Sequence, residues 1–216
     1  MRSMLLIFFV VFASCPAFAE PIEWPVSEGG NGHYYETIIC SSDTLSWKHA
    51  FLSTQGLSHE GQGGHLATIT SATENSWIVN TLLGQSGITN AVIYLGGWND
   101  GFVGEEPFYN NYPIGSWRWI TGENWAFEDW APEEPSTADG ILMAEFALSM
   151  FHQYDEGRMG WNNLRFEYWD RPETDPQHTR AYIVEFDGYA VTDQPPLDHV
   201  VAVENCSWGS LKSLYR

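Results

Sequence analysis

The sequence predicts a mixed helix-and-strand domain behind a short apolar leader. Three observations carry that prediction. One strand and two capped helical segments open the domain, strand segments follow, and long connections rich in Trp, Gly, Asn, Asp and Pro separate them. The chain of 216 residues is long enough for one ordinary domain. Hydrophobic residues make up 44% and charged residues 17%, a composition that buries a core.

Residues 1–19 read as a secretory signal peptide: Arg2, an apolar run from Met4 to Ala13, and Ala17-Phe18-Ala19 as the cleavage site. Phe12-Ala13-Ser14-Cys15 offers a degenerate lipoprotein box as the alternative. The run is too short to span a bilayer well, and no other stretch is long and apolar enough for a membrane span. The expected location is therefore secreted or periplasmic. Cleavage leaves Cys40 and Cys206, which form no zinc motif and no disulfide framework; whether they pair with each other stays open.

Residues 20–32 are rich in Pro, Glu and Gly and read as a leading loop. His33–Cys40 is aromatic and β-branched, a strand. Ser46 caps a helix carrying Trp47, Ala50, Phe51 and Leu52, and Gly56–Gly64 reads as a loop. His65–Ile69 is a short extended piece. Ser71-Ala72-Thr73-Glu74 has capping-box spacing, in which the hydroxyl and the carboxylate each satisfy an orphan amide. Ile78, Val79, Leu82 and Leu83 then form one helical face, and Gly84 is the expected stop. Four strands follow: Ala91–Trp98, Trp117–Gly122, Ile141–Phe146 and Ala181–Phe186. Asp187–His199, with Pro195-Pro196, reads as a linker. The tail places Trp208, Leu211 and Tyr215 at helical spacing, either a docked turn of helix or a terminal recognition peptide.

The charge excludes whole classes of partner. Nine Lys and Arg stand against 28 Asp and Glu, a formal charge of −19. Nucleic acid needs phosphates neutralised by basic side chains, so no nucleic-acid partner is expected, and anionic membranes are disfavoured likewise. Cations and neutral polar ligands suit such a surface.

The ordered set Gly63-Gly64-His65-Leu66-Ala67-Thr68-Ile69, Tyr94-Leu95-Gly96-Gly97, Trp117–Glu123, Trp130–Ser136, Gly160–Leu164 and Ala181–Phe186 resembles a C-type lectin-like domain, of the type found in exported bacterial proteins. The resemblance covers roughly residues 30–187. It implies an α+β fold: two helices, small antiparallel sheets joining the chain ends, and a long loop region carrying the ligand site. The domain division expected is 1–19 signal peptide, 20–187 lectin-like domain, and 188–216 linker and tail. Three departures stand out. The paired disulfides are missing, with Val184 in place of a Cys; Glu134-Pro135-Ser136 replaces EPN or QPD; and Trp161-Asn162-Asn163 replaces WND.

In the family the last two motifs hold calcium, and sugar hydroxyls complete its shell. The resemblance therefore implies Ca2+ ligands at Glu134, Ser136, Asp139, Asn162 and Asn163, and carbohydrate contacts at Glu134, Ser136, Asn162 and Asn163. It also implies a cis bond before Pro135. Ser136 keeps an oxygen at shorter reach and Asn163 loses a charge, which weakens a calcium site toward roughly 10⁻⁴–10⁻³ M. Glu128 and Glu133 lie near enough in sequence to replace the charge. The function implied is binding of a carbohydrate or glycoconjugate; the alternative is a metal-free module that binds protein in an extracellular or envelope assembly. Trp125 and Trp130 flank the site, either stacking on a sugar or holding the loop together.

An enzyme is not expected. Glu105-Glu106, Glu133-Glu134 and Asp155-Glu156 are adjacent acids without the facing geometry of glycoside hydrolysis. The seven His form no HExxH, with His33 and His65 beside Gly-rich turns, and neither a GxSxG elbow nor a phosphate-binding Gly-rich loop is present.

Overall fold

The computed structural model describes residues 20–40, 45–88, 91–100, 116–136, 145–153, 158–164 and 179–195. Its elements in chain order are β1 (Ile22–Glu23), β2 (Tyr34–Cys40), α1 (Trp47–Thr54), β3 (Ser58–His59), β4 (Gln62–Leu66), α2 (Ala72–Trp77), a π-helical stretch (Ile78–Leu82), α3 (Leu83–Ser86), β5 (Ala91–Asn99), β6 (Trp117–Trp119), β7 (Ala147–Gln153), β8 (Arg158–Leu164) and β9 (Thr179–Phe186). The class is α+β, as expected, but the sheet is mixed. β9 lies antiparallel to β2 and parallel to β5, and its last residues also pair with β4. The main path runs β1-β2-β9-β5-β7-β8.

Alternation along β9 explains its apolar run Ala181–Val184. Ala181 and Ile183 join a buried cluster with Tyr35, Ile78, Leu82 and Ile93, on the side of the second helix. Tyr182, Val184 and Phe186 join another with Trp47, Ala50, Phe51 and Leu66, on the side of α1. A strand covered on both faces loses the polar alternation of a half-exposed strand. Gly96 is required where β5 meets the chain after β4: its N–H donates to Ala67 O at 2.8 Å, and a Cβ there would collide with the Leu66 carbonyl oxygen.

Both caps form. Ser46 Oγ accepts from His49 N and Ser71 Oγ from Glu74 N, at 3.3 and 3.2 Å. The reciprocal half of the capping box does not: Glu74 turns away to accept from Thr70 N at 2.7 Å and meets Tyr35 Oη at 2.6 Å. Burial and then the nearby Glu185 charge push its pKa up to about 7. Trp47, Ala50, Phe51 and Thr54 form the buried stripe of α1, while Leu52 faces outward, 47% exposed.

Several local readings need correction. The 56–64 loop contains a hairpin, because Glu60 and Gly61 adopt φ of 50° and 84° and so close a tight turn between β3 and β4. The second helix passes Gly84, which stays helical, and stops at Gly87, left-handed at φ 70°. The leading loop contains β1, paired with Tyr34 and Tyr35. A strand was expected at Ile141–Phe146; residues 141–144 lie outside the described residues, and the observed strand, β7, starts at Ala147. The signal peptide, Cys206 and the tail also lie outside them; Cys40 ends β2 and is buried. Residues after β9 are bonded to the domain: Thr192 N and Asp193 N both donate to Ile120 O at 2.9 Å, and Trp98 Nε1 donates to Asp193 O at 3.1 Å. Among the described residues no helix is long and apolar enough to cross a membrane.

Candidate functional site

Indole rings hold the irregular chain that leads to the site. Trp161, fully buried on β8, stands edge-on to Trp119, Trp125, Phe127 and Trp130, with ring centroids 5.4–5.9 Å apart. Its backbone clamps the same loop: Trp161 N donates to Asp129 O at 2.8 Å, and Ala131 N donates to Trp161 O at 2.9 Å. Its indole N–H donates to Asn75 Oδ1 at 3.1 Å, and Asn75 Nδ2 donates to Asp129 Oδ2 at 2.9 Å, so the second helix joins the clamp. Trp125 and Trp130 are thus anchors of the loop. Trp125 also donates its indole N–H to Glu128 at 2.6 Å.

The loop then turns through Ala131–Ser136. Glu134 N donates to Ala131 O at 3.0 Å, and the Glu134–Pro135 peptide is cis, as the resemblance implied. Ser136 is the meeting point. Its N–H lies 2.6 Å from Glu134 Oε2 and 2.8 Å from Asn163 Oδ1. Its hydroxyl reaches Glu145 Oε2 at 3.5 Å. Asn163 Nδ2 donates to Ser136 O at 2.7 Å and to Glu145 O at 3.1 Å. Asn163 is fully buried and Glu145 only 7% exposed, whereas Glu134 and Ser136 are half-buried.

Three of the five expected ligand residues therefore converge: Glu134, Ser136 and Asn163. Asp139 lies outside the described residues. Asn162 leaves β8 on the side opposite Asn163, since neighbouring strand residues face opposite ways, and its carbonyl accepts from Ser149 Oγ at 3.2 Å. Trp161-Asn162-Asn163 lies within β8, paired with Met150, Ser149 and Leu148.

Glu145 is the residue that sequence reasoning missed. It stands just before β7, beside the partner strand of Asn163, and it supplies the second carboxylate at Ser136. An acid adjoining a buried apolar strand is the signal that was available. Glu133, one of the proposed substitutes, is exposed with φ 68°. The donor set is thus two carboxylates, a hydroxyl and an amide oxygen, all hard oxygen donors of the kind that suits calcium. Asn163 fits less simply, because its amide already bridges backbone groups on both sides of the gap.

Two solved structures share this arrangement of elements. The C-type lectin CEL-I from Cucumaria echinata matches at a TM-score of 0.50 with 17% identity, over 73% of this chain and 92% of that one. Human lithostathine matches at 0.52 with 16% identity, over 86% and 99%. The chain folds as a C-type lectin-like domain.

Among curated proteins it is similar to mouse lithostathine-2, 29% identical over 52% of this chain, and to a perlucin-like protein of Mytilus galloprovincialis, 26% over 70%. It is also similar to halomucin of Haloquadratum walsbyi, 23% identical over 85% of this chain. The match spans 2% of halomucin, 56% of lithostathine-2 and 85% of the perlucin-like protein. No family model matches the sequence.

Proposed function

We propose that this is an exported carbohydrate-binding protein, without a reaction of its own, whose sugar site is the Glu134–Ser136 turn beside the end of β8. Ca2+ is the cofactor proposed there. Glu134 and Glu145 supply the charge, Ser136 and Asn163 neutral oxygens, and Asp139 and Asn162 remain part of the proposed set. Bound calcium offers open coordination positions to vicinal sugar hydroxyls, while carboxylates accept hydrogen bonds from the same hydroxyls. The observation that carries this reading is the convergence of two carboxylates, Glu134 and Glu145, on the single residue Ser136.

The test is a calcium titration of the mature protein followed by Trp fluorescence, which the Trp130–Trp161 contact makes sensitive to the loop, then a glycan array with calcium and with chelator. Saturation in the ~10⁻⁴–10⁻³ M range together with calcium-dependent glycan binding is expected. No fluorescence response and no glycan bound in either condition overturns it.

One observation favours a second reading, the metal-free protein-binding module. Asn163 Nδ2 donates to two carbonyl oxygens at once, Ser136 O and Glu145 O. An aspartate has no proton to give there. The loop thus closes on amide hydrogen bonds, without an ion. Recovery of one protein partner from envelope extract in chelator, with an empty glycan array, selects this reading.

A further inference from the structure

A separate group of metal-binding side chains lies where the residue before β2 meets the end of β9. His33 Nδ1 is 2.7 Å from Glu185 Oε1 and 3.8 Å from Asp187 Oδ2. One ligand atom from each of the three residues lies within 4.8 Å of the others. The Glu185 and Asp187 side chains are 2% and 1% exposed, and His33, at 24%, opens the group to solvent.

The decisive atom is Asp187 Oδ2. It is buried and accepts no hydrogen bond from the described residues. Buried carboxylate oxygens are normally satisfied, so an unpartnered one aimed at a histidine needs an explanation. Asp187 Oδ1, in contrast, is fixed by His65 Nε2 at 2.9 Å and Tyr189 N at 2.7 Å. Glu185 is fixed just as firmly. Tyr35 Oη donates to its Oε1 at 2.9 Å, and Thr68 N donates to its Oε2 at 2.9 Å. The backbone explains the order, because Glu185 stands in register with Tyr35 on β2 and with His65 on β4.

We propose that His33 Nδ1, Glu185 Oε1 and Asp187 Oδ2 bind one divalent first-row transition ion, with Zn2+ the four-coordinate choice and solvent the fourth ligand. One imidazole and two carboxylates form a mixed N/O set that suits such an ion better than calcium or magnesium. Bonds of about 2.0–2.2 Å in a tetrahedron separate ligand atoms by about 3.4 Å, and the observed 2.7 and 3.8 Å bracket that value. The ion takes the place of the proton between His33 and Glu185 and gives Asp187 Oδ2 its partner. Tyr35, Thr68, His65 and the Tyr189 amide then act as the outer groups that orient the ligands. The ion ties the chain ahead of β2 to the end of β9, a cross-link between the two ends of the domain. The site shares no residue with the Glu134/Glu145 turn, so it stands independently of the sugar-binding reading.

The test uses the full exported chain, stripped with chelator and desalted. Zn2+ binding is followed by calorimetry and Co2+ binding by visible d–d absorption, in the wild type and in His33→Ala, Asp187→Asn and Glu134→Gln. Expected are one Zn2+ per chain, a Tm that rises by several degrees with Zn2+, and Co2+ bands that Zn2+ displaces. His33→Ala, which removes a partly exposed ring and leaves the far-ultraviolet circular dichroism unchanged, should weaken Zn2+ at least tenfold and abolish the bands. Glu134→Gln should keep both. No Co2+ bands in the wild type, or wild-type Zn2+ affinity in His33→Ala, overturns the proposal. If Asp187→Asn does not fold, His33→Ala decides alone.

Discussion

Asn163 grips Ser136 on both sides of its backbone. Its Oδ1 accepts from Ser136 N at 2.8 Å and its Nδ2 donates to Ser136 O at 2.7 Å. Two segments far apart in the chain are joined as strand partners are joined, but by a side chain. The amide acts where the resemblance puts a carboxylate, and so it exchanges charge for closure.

Asn163→Asp separates those two roles. It removes the donor to Ser136 O and Glu145 O and adds a charge beside Glu145. In chelator the variant should be less stable by about 1–3 kcal/mol, the range for buried groups left without a partner. With calcium it should bind the ion about tenfold more tightly than the wild type, if the turn is a calcium site. Thermal unfolding in chelator and in millimolar calcium measures both. Equal calcium affinity in the two proteins removes calcium from this turn.

Glu145→Gln tests the carboxylate that the sequence did not single out. Calcium affinity should fall at least about tenfold, equivalent to about 1.4 kcal/mol. Glu134→Gln should do the same, and Asp139→Asn reports whether that acid belongs to the set. Calorimetric titration reads all three. Unchanged affinity in Glu145→Gln means that its contact with Ser136 is structural only.

Trp161 is the anchor of the loop. Trp161→Ala removes a fully buried ring, four edge-on partners and the bond to Asn75. A loss of about 3–5 kcal/mol is expected. Trp161→Phe keeps part of the packing and should lose less than half of that. Urea unfolding gives the difference; equal stability of Trp161→Ala and wild type contradicts the anchoring role.

Glu36 gives a pH dependence. Burial on β2 pushes its pKa up to about 7, well above the usual carboxylate range. The folded state therefore holds this proton more tightly than the unfolded chain. Its contribution to stability is complete below about pH 4.5 and is lost as pH rises through about 7. Glu36→Gln should gain on the order of 1 kcal/mol over wild type at pH 8, after solvent screening, and nothing at pH 4. Unfolding curves of the two proteins at both pH values measure the difference.

What was written locally in the chain was legible. Ser46 and Ser71 announce their helices because a cap is satisfied within three residues. Strands β2, β5 and β9 show as aromatic and β-branched runs. Local signals became ambiguous where two equivalent choices lay close together. Gly84 and Gly87 are both fit to end a helix, and it is Gly87 that takes the left-handed conformation while Gly84 stays helical. Trp161-Asn162-Asn163 has turn composition, yet pairing with β7 makes it strand.

The sequence by itself determined the two capped helices, strands β2, β5 and β9 and the acidic composition, and the resemblance pointed to the segment that carries Glu134 and Ser136. Only the tertiary structure brought Glu145 to that turn, laid β5 parallel to β9, and set His33 beside Glu185 and Asp187. The reason is physical. Caps, turns and periodicity are settled by neighbours within a few residues, whereas these contacts depend on which strand edges meet after both faces of the sheet are buried, and burial is a property of the whole chain.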